Sequence, residues 1–294
     1  MAFYPPEEPG LKYGLYLPNF GPFADPHVLV EAAERAERAG WDGLFLWDHV
    51  ARPGGPPVVD PWIALAAIAS ATERMRIGAL VTPLARRRPW KVARETVSLD
   101  RLTRGRLVFG AGLGSAGGAQ SEWAAFGEEI DLARRAEMLD EGLAVLAGLW
   151  SGKPFSFAGT HFEVEDARFL PTPLQQPRIP VWIASYWPHR RPLRRAARWD
   201  GMFTLFPDGS PQDLGQLVEA VAYARAHRAP DAGPFDVVVC GDPTGNAEAY
   251  ERAGATWWLA RVTPDSFGAT WHGNWPVERM LGFMAQGPPE RLTR

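Results

Sequence analysis

The sequence predicts an α/β protein, a (β/α)8 TIM barrel with a short insertion between its fourth helix and fifth strand. Three observations carry that expectation. Short, nearly all-apolar runs alternate with helical stretches along the whole chain, and strict alternation implies a parallel sheet with right-handed crossovers. The unit repeats eight times, the number that closes a barrel. No stretch has the composition of a linker, so 1–294 reads as a single domain.

The first unit is a strand at Tyr13–Asn19 and a helix at Pro26–Ala39, where Asp25 suits the N-cap, Pro26 the first helical position and Gly40 the stop. Gly43–Trp47 is the second strand, and the Ala-rich helix Pro61–Thr72 follows, capped by Asp60. Arg76–Thr82 and Pro89–Leu102 form the third unit. Arg106–Ala111 and the long amphipathic stretch Leu132–Trp150 form the fourth. Ser151–Arg178, rich in Pro, Gly and Phe, breaks the rhythm and reads as the insertion. Strands at Ile179–Ser185, Gly201–Phe206, Phe235–Cys240 and Thr256–Val262 resume it. Their helices lie near Arg190–Arg198, Pro211–Arg228, Ala247–Ala253 and Pro276–Ala285.

Composition narrows the function. A net charge of −3 with 22% charged and 46% hydrophobic residues points to neither a nucleic-acid nor a membrane partner. The lone Cys240 rules out an internal disulfide and fits a reducing, cytoplasmic setting. The opening MAFYPPEEPG has neither the basic nor the apolar region of an export signal. No apolar run nears the roughly 18 residues of a membrane span. Thirteen tryptophans, several in loops, suit a site for a flat ring and a small-molecule substrate.

Barrel active sites form at the C-terminal strand ends. The second strand, in GLFLWDHV, finishes there on Trp47, Asp48 and His49. A histidine at that place can move a proton near neutral pH, and a nearby carboxylate can fix its ring. The bland alternative makes Asp48 a loop cap and His49 a surface residue. The first strand delivers Asn19 and Phe20. The third delivers Ala79, Leu80 and Thr82, with Pro83 holding Thr82 extended. The fourth enters the glycine run Gly110–Gly118, including Gly112, Leu113 and Gly114. The fifth ends on Ala184, Ser185, Tyr186 and Trp187.

Other chemistries fit less well. Gly112-x-Gly114-x-x-Gly117 matches a dinucleotide fingerprint, but it follows the fourth strand and lacks an acidic residue at the end of a following strand. The six histidines show no H-x-H or H-E-x-x-H spacing, so no metal site is expected, although a metal-dependent hydrolase built on Asp48 and His49 stays open. There is no G-x-S-x-G elbow.

Several segments, in this order, resemble the luciferase-like, flavin- or deazaflavin-dependent oxidoreductases. They are GLYLPNF (14–20), AERAGWDGLFLWDHV (36–50), the stretch from Arg76 to Gly114, HFEVEDARFLPTPLQQPRIPVWIAS (161–185) and RRAARWDGMF (194–203). The resemblance implies a tricyclic ring in the barrel mouth against a bulge after the third strand, with a non-proline cis peptide near Ala79–Leu80. Thr82 would touch the ring, and Gly112, Leu113 and Gly114 its side chain. Ser185 and Arg190 are phosphate candidates, although Ser-Tyr-Trp-Pro-His-Arg replaces the usual Gly-Gly after the fifth strand. The resemblance makes His49, with Asp48, the acid or base. The Asp-His pair tilts the cofactor toward the deazaflavin F420 over FMN, and so toward hydride transfer to or from an apolar or aromatic substrate. FMN would instead imply a monooxygenase using reduced flavin and oxygen, and a non-catalytic flavin-binding relative is the third alternative. Asn19, Phe20, Trp47, Trp123 and Tyr186, and after the eighth strand Trp271, are expected on the substrate side. Arg86-Arg87-Arg88 reads as a solvated loop or as a contact for an anionic cofactor tail. A homodimer is expected, with a separate flavin or deazaflavin reductase as a further partner.

Overall fold

The computed structural model describes residues 10–114, 122–206 and 213–289. The opening nonapeptide, Ser115–Gly118 of the glycine run and Pro211–Gln212 at the start of the expected sixth helix lie outside the described residues.

The strands in chain order are β1 (Lys12–Leu17), β2 (Gly43–Leu46), β3 (Arg76–Ala79), β4 (Thr82–Pro83), β5 (Phe109–Gly112), β6 (Phe155–Ala158), β7 (Glu163–Ala167), β8 (Val181–Tyr186), β9 (Gly201–Leu205), β10 (Asp236–Gly241) and β11 (Trp257–Arg261). All except β6 and β7 join one sheet in the order β3-β2-β1-β11-β10-β9-β8-β5-β4. The pairings are parallel, and a bridge from Ile77 to Leu107 closes the ring. β3 and β4 are two pieces of one barrel strand, so the ring has the expected eight. The insertion forms the antiparallel hairpin β6–β7. Helices α1 (Pro26–Arg38), α2 (Pro61–Ala71), α3 (Pro89–Leu102), α4 (Leu132–Trp150), α5 (Arg190–Ala196), α6 (Leu214–Ala226), α7 (Ala247–Arg252) and α8 (Val277–Gln286) alternate with the strands. Asp25, Asp60, Asp131, Asp213 and Asn246 cap the helices they precede by accepting backbone N–H bonds. Among the described residues no helix is long and apolar enough to cross a membrane.

The third strand departs from expectation. It breaks at a cis peptide between Leu80 and Val81, one bond beyond the expected position. The Leu80 N–H still donates to the Leu46 carbonyl at 2.8 Å, so the ladder holds through Leu80 before the chain turns away.

Alternation along the strands divides the core in two. Phe45, Leu80, Val108, Trp182, Phe203, Val238, Cys240, Trp257 and Leu259 fill the barrel. The opposite faces, such as Leu15, Ile77, Ile183 and Val239, pack against the helices. Where β3 meets β5 there is no room for side chains: a Cβ on Gly78 would stand 2.2 Å from the Val108 carbonyl oxygen, and one on Gly110 2.3 Å from that of Ala79.

Charged side chains fasten the floor, at the N-terminal strand ends. Glu37, 9% exposed, accepts from the N–H groups of Glu73, Arg74 and Met75. Arg106 donates to the carbonyls of Ala69, Thr72, Met75 and Thr103 and to the Thr72 hydroxyl. Asp100 accepts from Leu174 N–H and from Gln175, fixing the chain's return from the insertion.

Candidate active site

The apolar run Leu44–Leu46 is buried in the sheet and carries Trp47, Asp48 and His49 to the mouth. Asn19 fixes the chain there. Its side chain accepts from the His49 N–H at 3.2 Å and donates to the carbonyls of His49 (2.8 Å) and Val59 (2.7 Å). Asn19 is fully buried. Expected to meet substrate, it holds the His49 backbone instead, because its whole amide is engaged.

The carboxylate on His49 is Glu122, not Asp48. Glu122 Oε1 meets His49 Nδ1, while Oε2 accepts from Val50 N–H at 3.2 Å and from Arg86 Nη1 at 2.8 Å. Asp48 faces the other way. It accepts from Arg86 at 2.7 Å and from Arg87 at 2.9 and 3.0 Å, with its side chain fully enclosed. Consecutive side chains at a strand end point apart, so adjacency in sequence did not make Asp48 and His49 a pair. Arg86 and Arg87 are correspondingly not a solvated loop: their side chains are 5% and 16% exposed. Burial works against the Arg87 charge, but Asp48 outweighs it and raises the guanidinium pKa. Burial likewise pushes the Glu122 carboxyl up, yet His49, the Val50 N–H and Arg86 together hold it below the ordinary glutamate value.

An aromatic wall stands beside His49. The Phe20 ring, 4% exposed, lies 5.8 Å from each of Trp47, His49, Trp271 and Trp275. Tyr16 adds a contact to Trp47 at 5.5 Å and donates its hydroxyl to the Leu80 carbonyl at 2.9 Å. Trp123, expected on this side, is 1% exposed and covered by Arg135 at 4.3 Å and Arg86 at 5.7 Å. It supports the ion-pair chain and does not face the opening.

The opposite wall is built from small residues. A Cβ on Gly112 would sit 2.6 Å from Val81 Cγ2 and 2.9 Å from Ala184 Cβ. Thr82 is fully buried, and its Oγ1 and the Trp47 Nε1 have no hydrogen-bond partner among the described residues. Such groups call for a ligand or water. Gly114 has φ +78°, with its Cα against the Trp123 edge, and Leu113 packs on the outer core. Ala79 points outward and Leu80 inward. Ser185 is buried with its hydroxyl on that of Thr204 at 3.1 Å. Tyr186 is 39% exposed and stacks on His189. Arg190 lies against Trp187 at 4.8 Å and Tyr223 at 4.4 Å. Burial pushes the Cys240 thiol up to about 11, against the pull of the nearby Arg261 charge.

Glu122 and Arg86 are the residues that sequence reasoning missed as site residues. Glu122 lies 73 positions from His49, beside no recognisable motif, and the arginines gave only a charge run.

The mouth thus sets the unanswered Thr82 hydroxyl and a tightly packed wall of small residues against an aromatic wall. A glucose-6-phosphate dehydrogenase of Intrasporangium calvum, named as F420-dependent, is 33% identical over 67% of this chain and 59% of its own length. An F420-dependent secondary alcohol dehydrogenase, solved with an F420-acetone adduct, superposes with a TM-score of 0.70 at 19% identity, over 87% of this chain and 95% of that one. A monooxygenase of Streptomyces bottropensis gives a TM-score of 0.71 at 20% identity, over 93% and 96%. The luciferase-like monooxygenase family model matches residues 8–275. The chain belongs to the luciferase-like monooxygenase family of oxidoreductases.

Proposed function

We propose that the protein is a deazaflavin-dependent oxidoreductase that transfers a hydride to or from a small, largely apolar or aromatic substrate. The observation that carries the proposal is His49, held at the mouth by Glu122 beside the aromatic wall. The F420-dependent name of the Intrasporangium relative favours the deazaflavin over FMN.

Gly112, Val81 and Ala184 would form the wall against which the ring lies, and Thr82 Oγ1 would offer it a hydrogen bond. When bound, the cofactor supplies the carbon that exchanges a hydrogen and two electrons with substrate. Glu122, kept ionised by its neighbours, holds the proton of His49 on Nδ1. With Nδ1 engaged by Glu122, Nε2 is the nitrogen left to exchange a proton with substrate. As a substrate C–H is oxidised, His49 Nε2 takes the proton of the hydroxyl on that carbon; in reduction it returns that proton. Phe20, Trp47 and Trp271 exclude water and lie along a flat substrate.

The test is a fluorescence titration of the purified protein with F420 and, separately, with FMN. Micromolar binding of F420 alone is expected. Tight binding of FMN alone would replace hydride transfer with flavin and oxygen chemistry. Binding of neither would sink the cofactor assignment.

A further inference from the structure

One more charged side chain faces into the barrel mouth. β11 turns Trp257 and Leu259 into the barrel, and Arg261 continues that face at the strand's C-terminal end, in register with Tyr16 on β1. Its side chain is 27% exposed, and its ion pair is with Asp265 at 3.6 Å, beyond hydrogen-bond distance. Its Nε is buried without a partner among the described residues. Arg86 and Arg87 also have an open Nε, but the terminal nitrogens of Arg86 donate to Glu122 and twice to Asp48, whereas those of Arg261 have, among the described residues, only the more distant Asp265. A guanidinium carries five donors in a fixed fork, and here that fork is left open where the barrel opens.

Its place in the ring matters. With eight barrel strands, β11 stands four strands from β5, directly across the mouth from Gly112. Between them, on β1 and beyond β2, lie Tyr16, Trp47 and His49, with Phe20 behind. A ligand along this wall would have the proton-handling imidazole beside it and a cation at one end.

We infer that Arg261 anchors a carboxylate of the substrate, and that the substrate is an aromatic or mainly apolar carboxylic acid lying along the Phe20–Trp47–Trp271 wall. The inference rests on the reading of this mouth as the substrate site. A monoanion fits better than a phosphate dianion. Arg86 and Arg87 are already neutralised by Asp48 and Glu122, Arg52 lies flat over the Phe20 ring, and Asp265 stands beside Arg261. A guanidinium fork matches a carboxylate bidentately.

Calorimetric titration of the protein without cofactor reads this out, using 3-phenylpropionate and its neutral amide as probes. The acid is expected to bind at least about tenfold tighter than the amide, and its binding to weaken with added salt. Arg261→Gln should erase the preference while F420 binding persists, and Arg261→Lys should keep part of it. Equal binding of acid and amide, or no binding of either up to about 10 mM, overturns the inference. So does a preference that survives in Arg261→Gln, or loss of F420 binding in that variant, which would assign the guanidinium to the cofactor. Should Arg261→Gln fail to fold, Arg261→Lys and the salt dependence of the native protein decide. These readouts stand apart from the cofactor titration of the native protein, so the two readings fail separately.

Discussion

The two ends of this barrel treat buried charge in opposite ways. At the floor, Glu37 caps three backbone N–H groups and Arg106 closes on four carbonyls, so both of these charges meet partners of the fold itself. At the mouth, Thr82 Oγ1, Trp47 Nε1 and Nε of Arg86, Arg87 and Arg261 have no partner among the described residues. The division is not complete, since Trp257 Nε1 at the floor is also without a partner. Polar groups satisfied by the fold report stability, whereas polar groups left open in a concave site report a ligand. Even at the mouth, the chain His49–Glu122–Arg86–Asp48–Arg87 is joined by ion pairs and hydrogen bonds, although Nε of both Arg86 and Arg87 stays without a partner among the described residues. That chain fixes the geometry of the His49 ring.

Substitutions at the two ends should therefore separate activity from stability. His49→Ala should lower turnover at least about 100-fold and leave the thermal midpoint little changed. Unaltered turnover would remove His49 from the mechanism and revive the non-catalytic reading. At the floor, Glu37→Ala should cost about 2 kcal/mol of unfolding free energy, because it strands backbone N–H groups that now reach a carboxylate. Turnover per folded molecule should stay as it was, and a chemical-denaturation curve beside an activity assay checks both. Glu122→Gln keeps the shape but removes the charge that positions the ring. It should lower kcat about tenfold with KM little altered, and an effect on KM alone would make Glu122 a binding residue.

The smallest effect is the pH dependence of stability. Burial pushes the Glu37 carboxyl up, but the N–H groups of Met75, Arg74 and Glu73 outweigh it and hold it below the ordinary value. Glu122 is held down as well. A carboxyl lowered in the folded state stabilises above its unfolded pKa, about 4.3 for glutamate, and loses that contribution as the pH falls through the lower folded value. Stability should thus decline below about pH 4.3, and Glu37→Gln should flatten part of the decline in melting curves taken at successive pH values.

Much of this molecule was legible in its residues. The alternation of apolar strands and capped helices fixed the barrel, because periodicity is local and burial follows it. The same reasoning located the mouth at the strand ends and put His49 and the tryptophans there. It failed where partners are set by three-dimensional proximity. Asp48 looked like the partner of His49 because it is adjacent, yet consecutive side chains diverge. Glu122 became that partner from 73 residues away, brought in by the segment after the fourth barrel strand. Asn19 and Trp123, expected on the substrate side, have side chains engaged by backbone and by arginines.

By itself, then, the sequence determined the barrel and its closed count of strands, since each follows from local periodicity and the chirality of βα units. Only the tertiary structure decided which carboxylate holds His49, which arginines are neutralised and that Arg261 is left with an open fork. Those outcomes depend on distances between chain segments that no local pattern encodes.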